Sequence, residues 1–375
     1  MAKYLLDPNV CFLNHGSFGA TPEVLLQAQD ELRRELEREP IDFLIRQLPE
    51  RLQAARDAVA AFIGSAPQGT VFVQNATAGV NAVLSSISLA PGDEILTTNH
   101  RYDAVRNTLD RAAGAHGAKV VEAQVPFPIE RPQQVTEQVA AAVTPRTKLM
   151  IIDQITSPTA LIFPAHDLVA LARAHGIPVL IDGAHGPGHI DLDLTAMAPD
   201  FWVGNLHKWL CNPKGAAVLV VSEPWRDRIH PTVTSHGYSQ GLDMEFHWCG
   251  TFDPSPWLTA PAAIALHEAQ GGAAFRAAHH ALVQRGREEI AQALSVALPH
   301  PDDGSMYGAM ATIGLPLRAE QAPEFFQLLR TEEQIEVPII PWNGQAWVRI
   351  SGFAGYNTPD QYTHLAHTLK RRLGR

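Results

Sequence analysis

The chain predicts an α/β fold, a mostly parallel sheet sandwiched by helices with a smaller C-terminal α+β domain. Three observations carry this. Short apolar runs at 70–74, 94–98, 120–125, 148–154, 179–182 and 201–205 mostly alternate with stretches of helical period, the signature of βαβ units. Several of these runs are continuously apolar, as in Val179-Leu180-Ile181, which suits strands buried on both faces of a parallel sheet. After about Pro254 the pattern changes to long helices and a few late strands. With 375 residues and 46% hydrophobic content, the chain can bury one large core and a smaller one. The expected division is a large domain over 21–254, with 1–20 and 255–375 forming the smaller one.

Phe12 to Gly19 is a short apolar lead into a glycine-rich loop. Thr21-Pro22-Glu23 then supplies an N-cap, a first-position proline and a first-turn acid for a helix ending at Pro40. A second helix, Pro49 to Ile63, stops at Gly64, a left-handed cap. The strand Thr70 to Gln74 leads into a helix opening near Thr77. The small residues there let backbone N–H groups and the Thr77 hydroxyl close around an anion; an ordinary Thr-capped turn is the plainer reading of those residues alone. Further units follow: strand 94–98 and a helix to His116, strand 120–125 and helix 132–143, strand 148–154 and helix 164–175. The strand ending at Asp182, the strand ending before His207-Lys208, and Ala216 to Val221 complete the sheet. Beyond it come a helix from Leu258 to about Leu298, breakable at Gly271-Gly272, and strand 310–315. Helix 320–330, strands near 337–340 and 346–350, and a closing helix from Pro359 end the chain.

Function is read from the strand ends. In open α/β sheets ligands collect beyond the carboxyl ends, and here those ends deliver Asp182 and Lys208. A carboxylate and an amine at one edge are what pyridoxal phosphate chemistry requires; a buried ion pair or a solvated lysine is the plainer reading of the two alone. A net charge of −10 without a basic run argues against nucleic acid or an anionic membrane as partner. No run approaches membrane-spanning length, and residues 1–7 lack the apolar core of a signal peptide. Three cysteines suggest neither a disulfide framework nor a zinc site, and no His-x-x-x-His pair has a third ligand, so no metal is expected. The expected compartment is the cytoplasm.

Taken together the motifs resemble a family. Asn-Ala-Thr at 75–77, Asn-His-x-Tyr at 99–102, Asp-Gly-Ala-His at 182–185, His-Lys at 207–208, Gly250-Thr251 and Arg349-Ile350-Ser351 occur in an order similar to the class V aminotransferases, fold type I pyridoxal phosphate enzymes. Phe12 to Gly19 and the Asp-Gly-Ala-His variant look most like the isopenicillin N epimerase subgroup, which includes ergothioneine-pathway C–S lyases. The resemblance implies pyridoxal 5′-phosphate as cofactor, Lys208 as internal aldimine and proton-moving base, Asp182 against the pyridinium nitrogen, and His100 stacked on the ring. It implies Ser157 and His185 near the phenolic oxygen, and Ala76, Thr77, Asn205 and His207 around the phosphate. Thr251 would reach the phosphate of a neighbouring subunit, making a homodimer with shared sites. Arg349 suits a substrate α-carboxylate, its guanidinium fork matching two oxygens. Asn14 and His15 would line the substrate mouth, and Tyr102 could serve as a second acid or base, an interface tyrosine being the equal alternative.

The resemblance implies an amino-acid or amino-acid-like substrate reacting at its α-carbon through an external aldimine and quinonoid. Epimerisation is the expected exit, a hercynylcysteine-sulfoxide-type C–S β-lyase the alternative, and transamination third. A non-catalytic sensor that kept the fold is a further alternative, against which Asp182 and Lys208 both count. Residues 331–347 contain no cysteine, which argues against persulfide desulfuration. Cys211 reads as packing, and His236, Tyr238, His247 and Trp248 as a polar-aromatic substrate pocket.

Overall fold

The computed structural model describes residues 2–301 and 303–374. Seven strands form the central sheet in the order Thr70–Val73, Ala217–Val221, Phe201–Asn205, Val179–Asp182, Thr147–Asp153, Glu94–Thr98, Lys119–Ala123. All run parallel except Ala217–Val221, which is antiparallel to both neighbours. A short connection after Lys208 turns the chain straight back, where the parallel strands need helical crossovers. The central strands 147–153, 179–182 and 201–205 are buried along almost their whole length, as the continuous apolar runs require. Each fully buried aliphatic side chain contributes about 1.5–3 kcal/mol. Register aligns Asp153 with Asp182 across neighbouring strands, so two acids reach the same sheet edge.

The helix Ala76–Ser86 lies on the strand Phe201–Asn205, and Gly79 sets the approach. A Cβ there would sit 2.6 Å from Val203 Cγ1. The expected long helix is two, Ala260–Ala269 and Ala273–Leu294, parted by Gly271 and Gly272, both at positive φ. A π-helical segment, Asp42–Gln47, joins the first two long helices and carries no pattern by which sequence could announce it.

A second sheet pairs Ile339–Trp342, Gln345–Ser351 and Met310–Arg318 antiparallel. Cys11–Phe12 pairs parallel with Ile335–Glu336, tying the start of the chain to this part. Past residue 254, Trp257, Ala260 and Ala263 share the large core with Leu52 and Val59, because the helix Ala260–Ala269 packs on Leu48–Ile63. Residues 1, 302 and 375 of the expected division lie outside the described residues. Among the described residues no helix is long and apolar enough to cross a membrane.

Candidate active site

A cavity of about 620 Å³ opens at the carboxyl edge of the large sheet, lined by Asp153, Asp182, His185 and Lys208. Asp182 ends its strand buried, with Oδ1 accepting the Ala184 N–H at 3.0 Å. Burial pushes its carboxyl above the usual range, against the pull of that N–H and of Lys208. Asp153 is raised further, by burial and then by Asp182 itself. Two acids this close in a dry edge resist ionising together. A cationic group arriving between them would relieve both.

Lys208 is three residues beyond the strand Phe201–Asn205. Burial, then Arg349, pull its amine down to about 8, against Asp182 and Asp153. Nζ sits 3.1 Å from His185 Nε2. Gly19, at φ 68°, fixes the backbone here, since a Cβ would meet the Lys208 carbonyl at 2.5 Å. His185 is held neutral by burial and by Lys208 and Arg349.

At the other end, the helix Ala76–Ser86 points its N-terminus at the cavity. The Asn75 side chain caps it by accepting the Ala78 N–H, and Asn205 Oδ1 accepts the Ala76 N–H at 2.9 Å. The Asn205 carboxamide is thereby oriented. Ala76, Thr77, Asn205 and His207 all line the cavity. His207 shares its Nδ1 with the Ala216 carbonyl at 2.9 Å, and burial draws it down to about 4.

Arg349 is buried on the strand Gln345–Ser351 without a carboxylate partner among the described residues. Nη1 donates to the Ser157 carbonyl at 2.5 Å and Nη2 to Ser17 Oγ at 3.0 Å, while Nε has no partner among the described residues. Both serines line the cavity. Burial pulls the guanidinium down to about 10. An anion is the missing counterpart.

A family model, Aminotransferase class-V, matches residues 12–360. The chain belongs to that family. It is 33% identical to isopenicillin N epimerase of Streptomyces clavuligerus over 99% of this chain and 97% of that protein. It is 32% identical to putative L-cysteine desulfhydrase 1 of Oryza sativa subsp. japonica, covering 89% of this chain and 74% of that one. A solved complex of the cystine C–S lyase C-DES with its product cysteine persulfide superposes with a TM-score of 0.79 at 22% identity, covering 97% and 98% of the two chains; it speaks for the fold. Pyridoxal 5′-phosphate is the cofactor, and this class V site suits it. A depressed amine, a buried acid raised above its usual range and a helix N-terminus match its aldehyde, ring nitrogen and phosphate.

Several expected positions lie elsewhere than the cavity wall. His100 is 0% exposed, its ring nitrogens 2.7 Å from Thr159 Oγ1 and 3.1 Å from the Val125 carbonyl, and it packs on Trp342. No ring face opens on the cavity; two residues on, Tyr102 is 46% exposed and lines it. His15 is likewise 0% exposed, stacked on Phe353 at 4.1 Å with Nδ1 2.5 Å from the Tyr356 hydroxyl. Asn14 turns its amide to Glu336 at 3.0 Å. Neither reaches the mouth; Ser17 and Phe18, three residues on, do. Thr251 is exposed and off the cavity wall, while Phe252 and Asp253 are on it. The expected pocket of His236, Tyr238, His247 and Trp248 does not form the wall either. Trp248 backs Phe252 edge-on at 6.0 Å, and Trp257, anchored to the Gly215 carbonyl at 2.9 Å, takes the place beside it. Burial raises the Cys211 thiol, which faces His15 rather than the cavity.

Sequence reading missed Asp153, and it expected substrate loops at 14–19 and 236–257 without singling out Ser17, Phe18 or Trp257. Asp153 had a signal, an acid closing an apolar strand as Asp182 does.

Proposed function

We propose that this class V enzyme moves the α-proton of an amino acid or amino-acid-like substrate and acts as an epimerase. One observation carries the reading: a buried guanidinium lacking a carboxylate stands beside an amine drawn down to about 8, an anion site next to a base. The near full-length likeness to isopenicillin N epimerase supports the choice among reactions.

Arg349 would bind the α-carboxylate, with Ser17 and Ser157 turning their hydroxyls to it. Lys208 Nζ would take or return the α-proton on one side, and an amine near neutrality suits both directions. The Tyr102 hydroxyl, at the open wall, would hold a proton on the other. The cofactor, when bound, supplies the electron sink, and Asp182 would keep its ring nitrogen protonated. Ala76, Thr77, Asn205 and His207 would hold its phosphate. Phe18, Phe252 and Trp257 would exclude water and set the substrate side chain. We also propose a homodimer in which the exposed Thr251 reaches the partner's phosphate site. A cytoplasmic protein suits three thiols that all stay free.

The second reading is a C–S β-lyase, favoured by the likeness to a cysteine desulfhydrase; Tyr102 would then protonate the leaving group. Incubation in D2O with a panel of amino acids separates them. α-Deuterium uptake with inversion supports the epimerase. Release of pyruvate and ammonia without inversion would replace it with the lyase.

A further inference from the structure

We infer that Trp209 is a positioning residue that locks His185 in one tautomer and so favours the free-amine form of Lys208. The inference rests on the reading of Lys208 as the reacting amine.

Trp209 Nε1 lies 3.3 Å from His185 Nδ1. An indole nitrogen has a hydrogen to give and no lone pair to offer. His185 Nδ1 therefore accepts and carries no proton. A neutral imidazole has one N–H, which must then be on Nε2, the atom 3.1 Å from Lys208 Nζ. That N–H donates toward Lys208, and Nζ can accept only with a lone pair, as –NH2. The reverse arrangement, an ammonium donating to Nε2, would strip both ring nitrogens of hydrogen and leave an imidazolate. A doubly protonated ring would set an N–H against the indole N–H. Both alternatives are costly in a site where His185 is 3% exposed and Trp209 1% exposed.

The indole cannot swing away. Its ring is wedged between His15, 4.7 Å between centroids, and His189, 4.3 Å. It immediately follows Lys208 in the chain, so the residue that orients the imidazole is tied to the amine the imidazole serves. The hydrogen-bond direction runs one way, from Trp209 through His185 to Lys208. Burial alone would lower the amine; the relay adds a directional reason for it to be uncharged. The same Nε2–H is what His185 can offer to an anionic oxygen of the bound cofactor.

The charged and titratable groups facing Lys208 are Arg349, Asp182, Asp153 and His185, and those facing His185 are Lys208, Arg349, His189 and His15. Trp209→Phe keeps every one of them. It frees His185 Nδ1 to take the hydrogen, whereupon Nε2 can accept from an ammonium.

The test uses the full-length protein stripped of cofactor. The rate at which Schiff-base absorbance develops on adding pyridoxal 5′-phosphate is followed across pH. Wild type should show a midpoint near 8. Trp209→Phe should move it up by about one pH unit, roughly tenfold slower at pH 7 and equal to wild type at high pH, the scale of one hydrogen bond. An equal slowing at every pH would mean a packing role only and overturn the inference. The second arm needs no variant at position 209: long-range proton–nitrogen correlation spectra of histidine-labelled wild type, with His185 assigned by its loss in His185→Gln. Hydrogen on Nε2 supports the lock, and hydrogen on Nδ1 overturns it. If neither protein gains absorbance, the reading of Lys208 fails, while the nitrogen spectrum still decides the tautomer.

Discussion

Replacing Lys208 by methionine should make the cofactor-free protein more stable at neutral pH. The ordinary lysine value is 10.5 and burial holds this one at about 8. Because the folded value is depressed, the unfolded chain binds the proton more tightly, and stability rises with pH between those two values. Below 8 the wild type carries the whole strain. At about 1.4 kcal/mol per pH unit it comes to about 3 kcal/mol. Methionine keeps the aliphatic stem and removes the charge. The variant removes the pull of Lys208 on Asp182 and Asp153, but both carboxyls are raised and take up a proton readily. A gain of about 1–3 kcal/mol is therefore expected at pH 7. Urea unfolding of both proteins between pH 7 and 10.5 measures it, and the difference should shrink through that window and vanish at its top. A variant no more stable than wild type at pH 7 would refute the reasoning. So would a gain that stays constant to pH 10.5, since apolar packing and not charge would then be its source. The amine is a case of stability given up for chemistry.

Arg349→Lys removes one arm of the fork and should lower kcat/KM about 10- to 100-fold through KM, a hydrogen bond from a charged group being worth about 1.5–3 kcal/mol; an amine analogue lacking the carboxylate should react unchanged. Gly79→Ala places a Cβ 2.6 Å from Val203 Cγ1, so the helix should lift, costing about 1–3 kcal/mol in urea unfolding and weakening cofactor binding by fluorescence titration. Asp153→Asn should stabilise the cofactor-free protein at pH 7. Its folded carboxyl is raised, so the strain is absent below the ordinary value of 3.8 and grows as pH rises through it; a gain equally large at pH 3 would contradict the pairing with Asp182.

What could be read from sequence was local and periodic. An apolar run closed by Asp182, another followed by Lys208, and the change of period near Thr77 each mark a strand end or helix start within a few residues, and parallel packing brings such ends together without further instruction. Loop side chains obey no such period. His100 and Tyr102 leave the same strand end, yet Tyr102 is extended at φ −66°, ψ 140° as an N-cap and faces the cavity, while His100 turns under Trp342. His15 and Phe18 belong to one helical turn, His15–Phe18, whose inner face buries the histidine against Phe353 and whose outer face gives Phe18 to the mouth. Distance along the chain hid the rest. Trp257 carries no motif, and its bond to the Gly215 carbonyl, from the turn after Lys208, holds it at the wall.

The tautomer of His185 depends on Trp209, a residue outside every sequence motif. Indole and imidazole meet at 3.3 Å only because the strand Phe201–Asn205 and the strand Val179–Asp182 end side by side. An acid or an amine declares its chemistry by residue type, whereas a hydrogen-bond direction is declared only by what stands on its far side. Strand ends could therefore suggest which atoms react, and the protonation state of those atoms had to come from the fold.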